Sequence, residues 1–367
     1  MPLQVILFLF QLIQIDFTCL YYIITRSKKS PSQKETMSSL YKVIEIEGKG
    51  LGCVAISDIK KGSLILTEKP QLCVESPEMS SMWIKRLLKS FDGMSKTDQL
   101  EYMTLHNSFL NSEDIQNCEE IRDWRERKIE AAKVEIGKIE PDSEKAEKIL
   151  KIFGICSTNS FQGSVYLKVS RFNHSCHPNA MVEDVNGQVQ LRAIGKIKAG
   201  KEINWNYLDE FFGFRTRKYR QQNLLKAWGF LCCCELCKNG VDIDASFEAS
   251  IQEAENLTKR RESSIYLHLA HLAGYYSVED CRQEIMCYKK LYKIGKVQNI
   301  QPYFLFMMLN KGFYAAGTGY QLFQATDLKD DAMTFAKAAE KFENILGKDV
   351  VTRGNTFSYM QMYQALG

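Results

Sequence analysis

The densest chemistry in the chain lies at Cys232-Cys233-Cys234-Glu235-Leu236-Cys237. A Cys-x-Cys-x-x-Cys frame gathers three thiolates into one tight turn, as a tetrahedral zinc ion requires. A fourth ligand must come from elsewhere. The bland alternative is a group of reduced core cysteines, but a run this dense rarely packs as ordinary core. A disulfide reading is weaker still in this context. Cys233, the odd member, is expected to point away from the metal.

Two further segments carry reactive residue types. One is Ser170-Arg171-Phe172-Asn173-His174-Ser175-Cys176-His177-Pro178-Asn179. Its Cys and His are close enough to be metal ligands, although a lone His is more often a hydrogen-bonded structural residue. The other is Ala199-Gly200-Lys201-Glu202-Ile203-Asn204-Trp205-Asn206-Tyr207, a turn, a strand and a tyrosine just ahead of the cysteine cluster. A tyrosine at a strand end is usually core or interface, so Tyr207 gains meaning only from these neighbours.

The elements that must position these residues can be read from composition and pattern. The chain has 367 residues, 45% hydrophobic and 25% charged, enough for two or three globular domains. Basic and acidic residues number 48 and 44, a balance that argues neither for nor against nucleic acid. Of 12 cysteines, eight are scattered singly, which together with one tight cluster suggests a reducing compartment and a metal site.

Residues 1–39 read as an apolar leader and a polar linker. Leu3 to Ile24 is long enough to span a bilayer, but Asp16 inside it would cost roughly 2.5–3.5 kcal/mol at the membrane centre. It also lacks the basic leader and small-residue cleavage site of a signal peptide. A start at Met37 is the third reading, and a dispensable leader ranks above a membrane anchor. Strands are expected over Tyr41 to Glu47, Cys53 to Ile56 and Ser63 to Thr67, with a turn at Gly48-Lys49-Gly50-Leu51-Gly52. Helical spacing then takes over from Ser80 to Ile155. Strands return over Val165 to Val169, Val182 to Asp184 and Val189 to Ala193. Residues 239–367 are helical, with an apolar stripe from Ala332 to Leu346, and read as stacked hairpins like degenerate tetratricopeptide repeats.

Taken in order, the motifs resemble the SET domain and, within it, the SMYD family. Gly48-Lys49-Gly50-Leu51 looks like the first SET motif, Asn173-His174-Ser175-Cys176 like the second, and Gly200-Lys201-Glu202-Ile203 to Tyr207 like the third. The cysteine frame looks like the post-SET motif. The resemblance implies an α+β fold over residues 40–238: a SET β-fold with a helical insertion at about 76–155 and a post-SET zinc turn at 228–238. It also implies roles. Tyr207 would be catalytic, and Cys176 would complete a structural zinc site with Cys232, Cys234 and Cys237. S-adenosylmethionine would meet Lys49, Gly50, Asn159, Ser170, Asn173, His174 and Tyr207, with Trp228 and Phe230 as walls. The chain departs from SMYD proteins at the MYND finger, because the insertion offers only His106 and Cys118 as plausible ligands.

The implied activity is protein-lysine N-methylation, with a histone or another protein as substrate and no direct nucleic-acid or membrane partner. A monomer in the cytoplasm, the nucleus or both is expected. The rival reading is a non-catalytic SET scaffold that binds partners. A zinc-dependent nucleic-acid binder is the weaker rival, since Glu235 and Leu236 fill the cluster and only Lys238 follows.

Overall fold

A computed structural model describes residues 40–342, except 75–78, 110–117, 162, 186, 209, 240–241, 243–247, 267–275 and 298–299. The apolar leader, the linker, and Ile345 and Leu346 of the expected stripe lie outside the described residues.

Among the described residues, nine short strands form three three-stranded sheets. In the first, β1 (Tyr41–Ile46) pairs antiparallel with β2 (Gly50–Ala55). β2 in turn pairs with β9 (Glu202–Ile203). The second sheet places β8 (Val189–Ala193) between β3 (Leu64–Glu68) and β7 (Ala180–Asp184). The third has β6 (Ser164–Val165) between β4 (Leu72–Cys73) and β5 (Ser160–Phe161). Cys53, Phe172, Leu191 and Ile203 are fully buried in the core that these strands share.

Several expected boundaries shift by a few residues, and two of the shifts bear on the site. The turn after β1 covers only residues 47–49, and Gly50, Leu51 and Gly52 already pair with Ile46, Glu45 and Ile44. The expected strand Val165 to Val169 ends at Val165. Beyond it the backbone donors go elsewhere: Lys168 N and Val169 N both donate to the Glu68 carboxylate at 2.9 Å. Ser170 N and Arg171 N close local turns, so a 3-10 turn forms over Val169–Arg171. A ladder cannot continue once its donors are spent.

The insertion is helical, as expected. It comprises α1 (Ser81–Asp92), α2 (Lys96–Tyr102), α3 (Glu119–Gly137) and α4 (Ser143–Asn159). In α1 the Ser80 hydroxyl accepts from Trp83 N, and Trp83, Ile84, Leu87 and Phe91 bury one stripe. Pro141 stands between α3 and α4, and Asp142 caps the new N-terminus by accepting from Lys145 N at 3.0 Å.

After the strands, α5 (Arg217–Trp228) leads through Gly229 into the cysteine turn and the short α6 (Glu235–Asn239). Gly229 has φ +80° and its N–H bonds back to Leu224 O and Leu225 O, a left-handed stop that favours glycine. Four further helices follow: α7 (Glu248–Tyr266), α8 (Val278–Val297), α9 (Pro302–Leu322) and α10 (Leu328–Glu340). Their apolar faces share a core with Met181, Ile194, Phe211 and Phe214, so the helical region is packed onto the strand region. None of the described helices is long and apolar enough to cross a membrane.

Candidate active site and sulfur cluster

Two extended segments lie side by side at the centre of the site. Trp205 N donates to Asn173 O at 3.1 Å, and Ser175 N donates to Trp205 O at 3.0 Å, a parallel pairing. The Trp205 indole adds a third link, donating from Nε1 to Phe172 O at 3.1 Å. The Tyr207 hydroxyl donates to that same oxygen at 2.8 Å. Burial pushes the Tyr207 phenol well above its usual range, with Glu202 and Cys53 adding to the shift. The hydroxyl therefore keeps its proton and acts as a donor.

His174 joins this tyrosine to the cysteines. Tyr207 N donates to His174 Nδ1 at 3.0 Å, so Nδ1 is unprotonated. The ring proton then sits on Nε2, which donates to Cys176 Sγ at 3.3 Å. His174 is only 4% exposed, and burial pushes its pKa down to about 3, which keeps the ring neutral.

The sulfur atoms of Cys176, Cys232, Cys234 and Cys237 all lie within 4.8 Å of one another. Cys176 Sγ is 3.8 Å from Cys232 Sγ and 3.6 Å from Cys237 Sγ. A tetrahedron with zinc–sulfur bonds of about 2.3 Å has edges of about 3.8 Å, so the donor set fits a zinc ion. As bare thiols the four share protons: hydrogen bonds among them push Cys176 up and Cys234 down. Buried Arg220 lies near Cys176 and Cys237, which raise its pKa against the desolvation that lowers it. Four thiolates around a divalent zinc ion would leave a net charge of −2, part of which this guanidinium would offset. Gln221 Nε2 donates to Cys232 O at 3.0 Å and ties the turn to α5. Cys233 is exposed and outside the cluster.

Sequence reasoning passes over Glu202, which the structure places between two of the expected site residues. Glu202 Oε2 accepts from Lys49 Nζ at 2.6 Å, and Oε1 accepts from Asn173 Nδ2 at 3.0 Å. The first SET-like motif is thereby fastened to the second through the third. The period-2 alternation of β9 could have revealed it, because Ile203 is fully buried and Glu202 must face the other way. Arg171 was also missed as a site element. Its guanidinium donates to Thr104 O at 3.1 Å and draws the end of α2 to the site.

A cavity of about 530 Å³ opens over these groups. Lys49, Gly50, Asn159, Ser170, Asn173, His174, Tyr207, Trp228 and Phe230, all named from the sequence, line it together. Asn159 has committed both amide hydrogens, to His106 O at 2.7 Å and Ile155 O at 2.8 Å, so its oxygen is what it offers a ligand. His106 itself donates to Trp228 O at 2.8 Å. Cys118 lies apart from it, against Ile121 and Leu225. Among the described lining residues Lys49 and Arg171 are cationic and none is Asp or Glu. The cationic groups together with the rings of Trp228 and Phe230 among the lining suit a ligand that carries a carboxylate and a flat base.

Residues 50–208 match the SET domain family. Among curated proteins, histone-lysine N-methyltransferase SET5 of Saccharomyces cerevisiae (strain YJM789) is 38% identical over 95 residues, 25% of this chain and 18% of that protein. The SET domain-containing protein L678 of Acanthamoeba polyphaga mimivirus is 26% identical over 198 residues, 52% of this chain and 75% of that protein. The chain spans 18% to 20% of the length of the first three yeast SET5 proteins that it matches. Among solved structures, the SET domain of LSMT bound to lysine and AdoHcy has a TM-score of 0.39 and 13% identity, over 94% of this chain and 93% of that one.

Proposed function

We propose that this chain is an S-adenosylmethionine-dependent protein-lysine N-methyltransferase, SMYD-like but without a MYND finger. The observation that carries the reading is the meeting of Tyr207, Asn173 and His174 in one cavity beside the four-sulfur cluster. The matched SET domain and the histone-lysine methyltransferases among the relatives support it. In this reading Lys49, Gly50, Asn159, Ser170, Asn173 and His174 hold the cofactor. Trp228 and Phe230 wall it.

The cofactor supplies, when bound, an electrophilic methyl group on a sulfonium sulfur. The protein must present a neutral amine to it. Lysine has a pKa near 10.4, so its neutral form costs about 4.6 kcal/mol at pH 7. The aromatic surroundings of Tyr207 disfavour the ammonium and lower that cost. Trp205, His174 and Trp228 stand with ring centroids 5.1, 5.3 and 5.4 Å from the Tyr207 ring. The Tyr207 hydroxyl oxygen, held by its bond to Phe172 O, then orients the amine, whose proton leaves to water. Positioning of this kind supplies much of the rate.

Zinc in this reading is structural, since four thiolates fill its coordination and leave no open position. It closes the post-SET turn against the Asn173 segment. The substrate is a protein lysine, on a histone or another protein. The chain acts as a monomer in the cytoplasm or nucleus, without direct nucleic-acid or membrane binding. The SET unit spans 40–238 and the helical unit 239–367.

The test is transfer of labelled methyl from S-adenosylmethionine to lysines of histones and of a cell lysate, read by mass spectrometry, with Tyr207→Phe beside the wild type. Wild-type transfer should fall at least ~10²-fold in Tyr207→Phe, because misplacing reactants by about 1 Å can cost that much. Cofactor affinity should change far less. A wild-type protein that binds cofactor yet methylates no lysine would favour the scaffold reading, and a fully active Tyr207→Phe would remove Tyr207 from the chemistry.

A further inference from the structure

We propose that Trp205 is a positioning residue for methyl transfer: its indole N–H fixes the Phe172 carbonyl on which the Tyr207 hydroxyl is aligned. This inference deepens the methyltransferase reading and rests on it.

A peptide carbonyl has two lone pairs. At Phe172 both are used, by Trp205 Nε1–H at 3.1 Å and by Tyr207 O–H at 2.8 Å. The residue is held on its other side as well, because the Phe172 ring is fully buried and the N–H of its preceding peptide donates to Val169 O at 3.0 Å. With its proton committed to Phe172 O, the Tyr207 oxygen keeps its lone pairs for the incoming groups. The hydroxyl direction is therefore set by where the carbonyl points, and the indole sets that.

Trp205 is itself held too firmly for this donor to wander. Its backbone N–H and C=O are bonded to Asn173 O and Ser175 N. Its ring stands edge-on to Phe161 at 5.8 Å and tilted against Tyr207 at 5.1 Å. A valine, isoleucine or phenylalanine at this strand position would fill space and pair through the same backbone. None of them carries a donor that could reach Phe172 O. Only an indole joins a large apolar face to one directed N–H. The residue type is thus explained by the hydrogen bond and not by packing alone.

Phe-Asn occurs once in the chain, at Phe172-Asn173. A sample with carbonyl-¹³C phenylalanine and ¹⁵N asparagine therefore gives a single coupled NMR peak that reports the Phe172 carbonyl. The experiment compares wild type, Trp205→Phe, Tyr207→Phe and the double variant in the full chain. A further variant carries 3-benzothienylalanine at position 205, which keeps the bicyclic shape and replaces N–H by sulfur. This variant keeps the test open should Trp205→Phe fail to fold.

Both changes at position 205 should move the carbonyl peak upfield. They should lower kcat by about tenfold, the size of one lost hydrogen bond, while KM for the cofactor stays within about twofold. In the Tyr207→Phe background the same change should cost less than about twofold, since residues acting through one network are not additive. An unmoved peak in the benzothienyl variant, or equal kcat losses in both backgrounds, overturns the proposal. A wild type that methylates no lysine would instead end the methyltransferase reading, while the peak still decides whether Trp205 holds the carbonyl.

Discussion

A methyl group added at Gly52 should weaken cofactor binding through a residue that it does not replace. Gly52 lies in β2 opposite Ile44, and a Cβ there would sit 2.4 Å from Ile46 Cδ1 and 2.5 Å from Asn173 Nδ2. Gly52→Ala also removes backbone freedom from the unfolded chain, a gain of ~0.4–1 kcal/mol where the native backbone tolerates alanine. Overpacking opposes it at ~1–3 kcal/mol and wins at contacts this short. Ile46 is half-buried and can turn its end away. Asn173 cannot, because its amide is bonded to Glu202 Oε1 at 3.0 Å and its carbonyl to Trp205 N at 3.1 Å. Displacing the amide breaks a hydrogen bond to a carboxylate, worth ~1.5–3 kcal/mol. The expected result is a melting temperature lower by several degrees, at about 2–4 °C per kcal/mol in a domain of this size. S-adenosylmethionine should bind about 10–100-fold more weakly by calorimetry. Asn173→Ala is the companion measurement. Unchanged affinity in Gly52→Ala, alongside a clear loss in Asn173→Ala, would refute the proposed transmission through the amide.

The sulfur cluster and one buried carboxyl give two further tests. Cys176→Ser should lower zinc content by elemental analysis and the melting temperature by roughly 10 °C or more, because structural zinc contributes ~10–16 kcal/mol in small finger peptides. Cys233→Ser should change neither, and full zinc occupancy in Cys176→Ser would break the proposed link. Burial raises the Glu68 carboxyl above 4.5, against the opposing hydrogen bonds from Lys168 N and Val169 N. The native state then holds this proton more tightly than the unfolded chain. Its contribution to stability is full below pH 4.5 and is lost as pH rises through the raised native value. Carbon NMR titration of Glu68 should place its midpoint above 4.5, and a midpoint at or below that value would reverse the sign.

What was legible in the sequence follows from how far each signal reaches. The cysteine frame is local, and its four-sulfur geometry needed only the resemblance to bring in Cys176 from 56 residues away. Strand pairing between β1 and β2 follows from an apolar alternation and two glycines. The 3-10 turn at Val169–Arg171 could not be read locally, because the carboxylate that takes its donors sits about 100 residues earlier, at Glu68. Lys49, Glu202 and Asn173 form a cluster for the same reason of distance. Each residue type looks ordinary until the fold brings the three together. The double use of Phe172 O was invisible in principle, since a backbone carbonyl carries no signature in sequence.

The site residues are spread from Lys49 to Cys237, so chain entropy opposes their meeting, and neighbouring anchors offset it. Three of these residues adjoin one that is fully buried. Gly52 precedes Cys53, Asn173 follows Phe172 and Glu202 precedes Ile203, and all three anchors are 0% exposed in one core. Extended backbone alternates its sides, so burying the anchor turns the neighbour outward. Hydrogen bonds then fix what burial has gathered: Lys49 and Asn173 on Glu202, His174 on Tyr207, Trp205 on Phe172. The cysteine turn at residues 232–237 lacks such a strand anchor. Its cluster gathers the four sulfurs and Leu224, with Tyr207, Leu208, Trp228, Phe230 and Leu236 packed against them. In the proposed reading, zinc would hold this segment. His174, donating to Cys176 while accepting from Tyr207, ties the sulfur cluster to the backbone of the tyrosine.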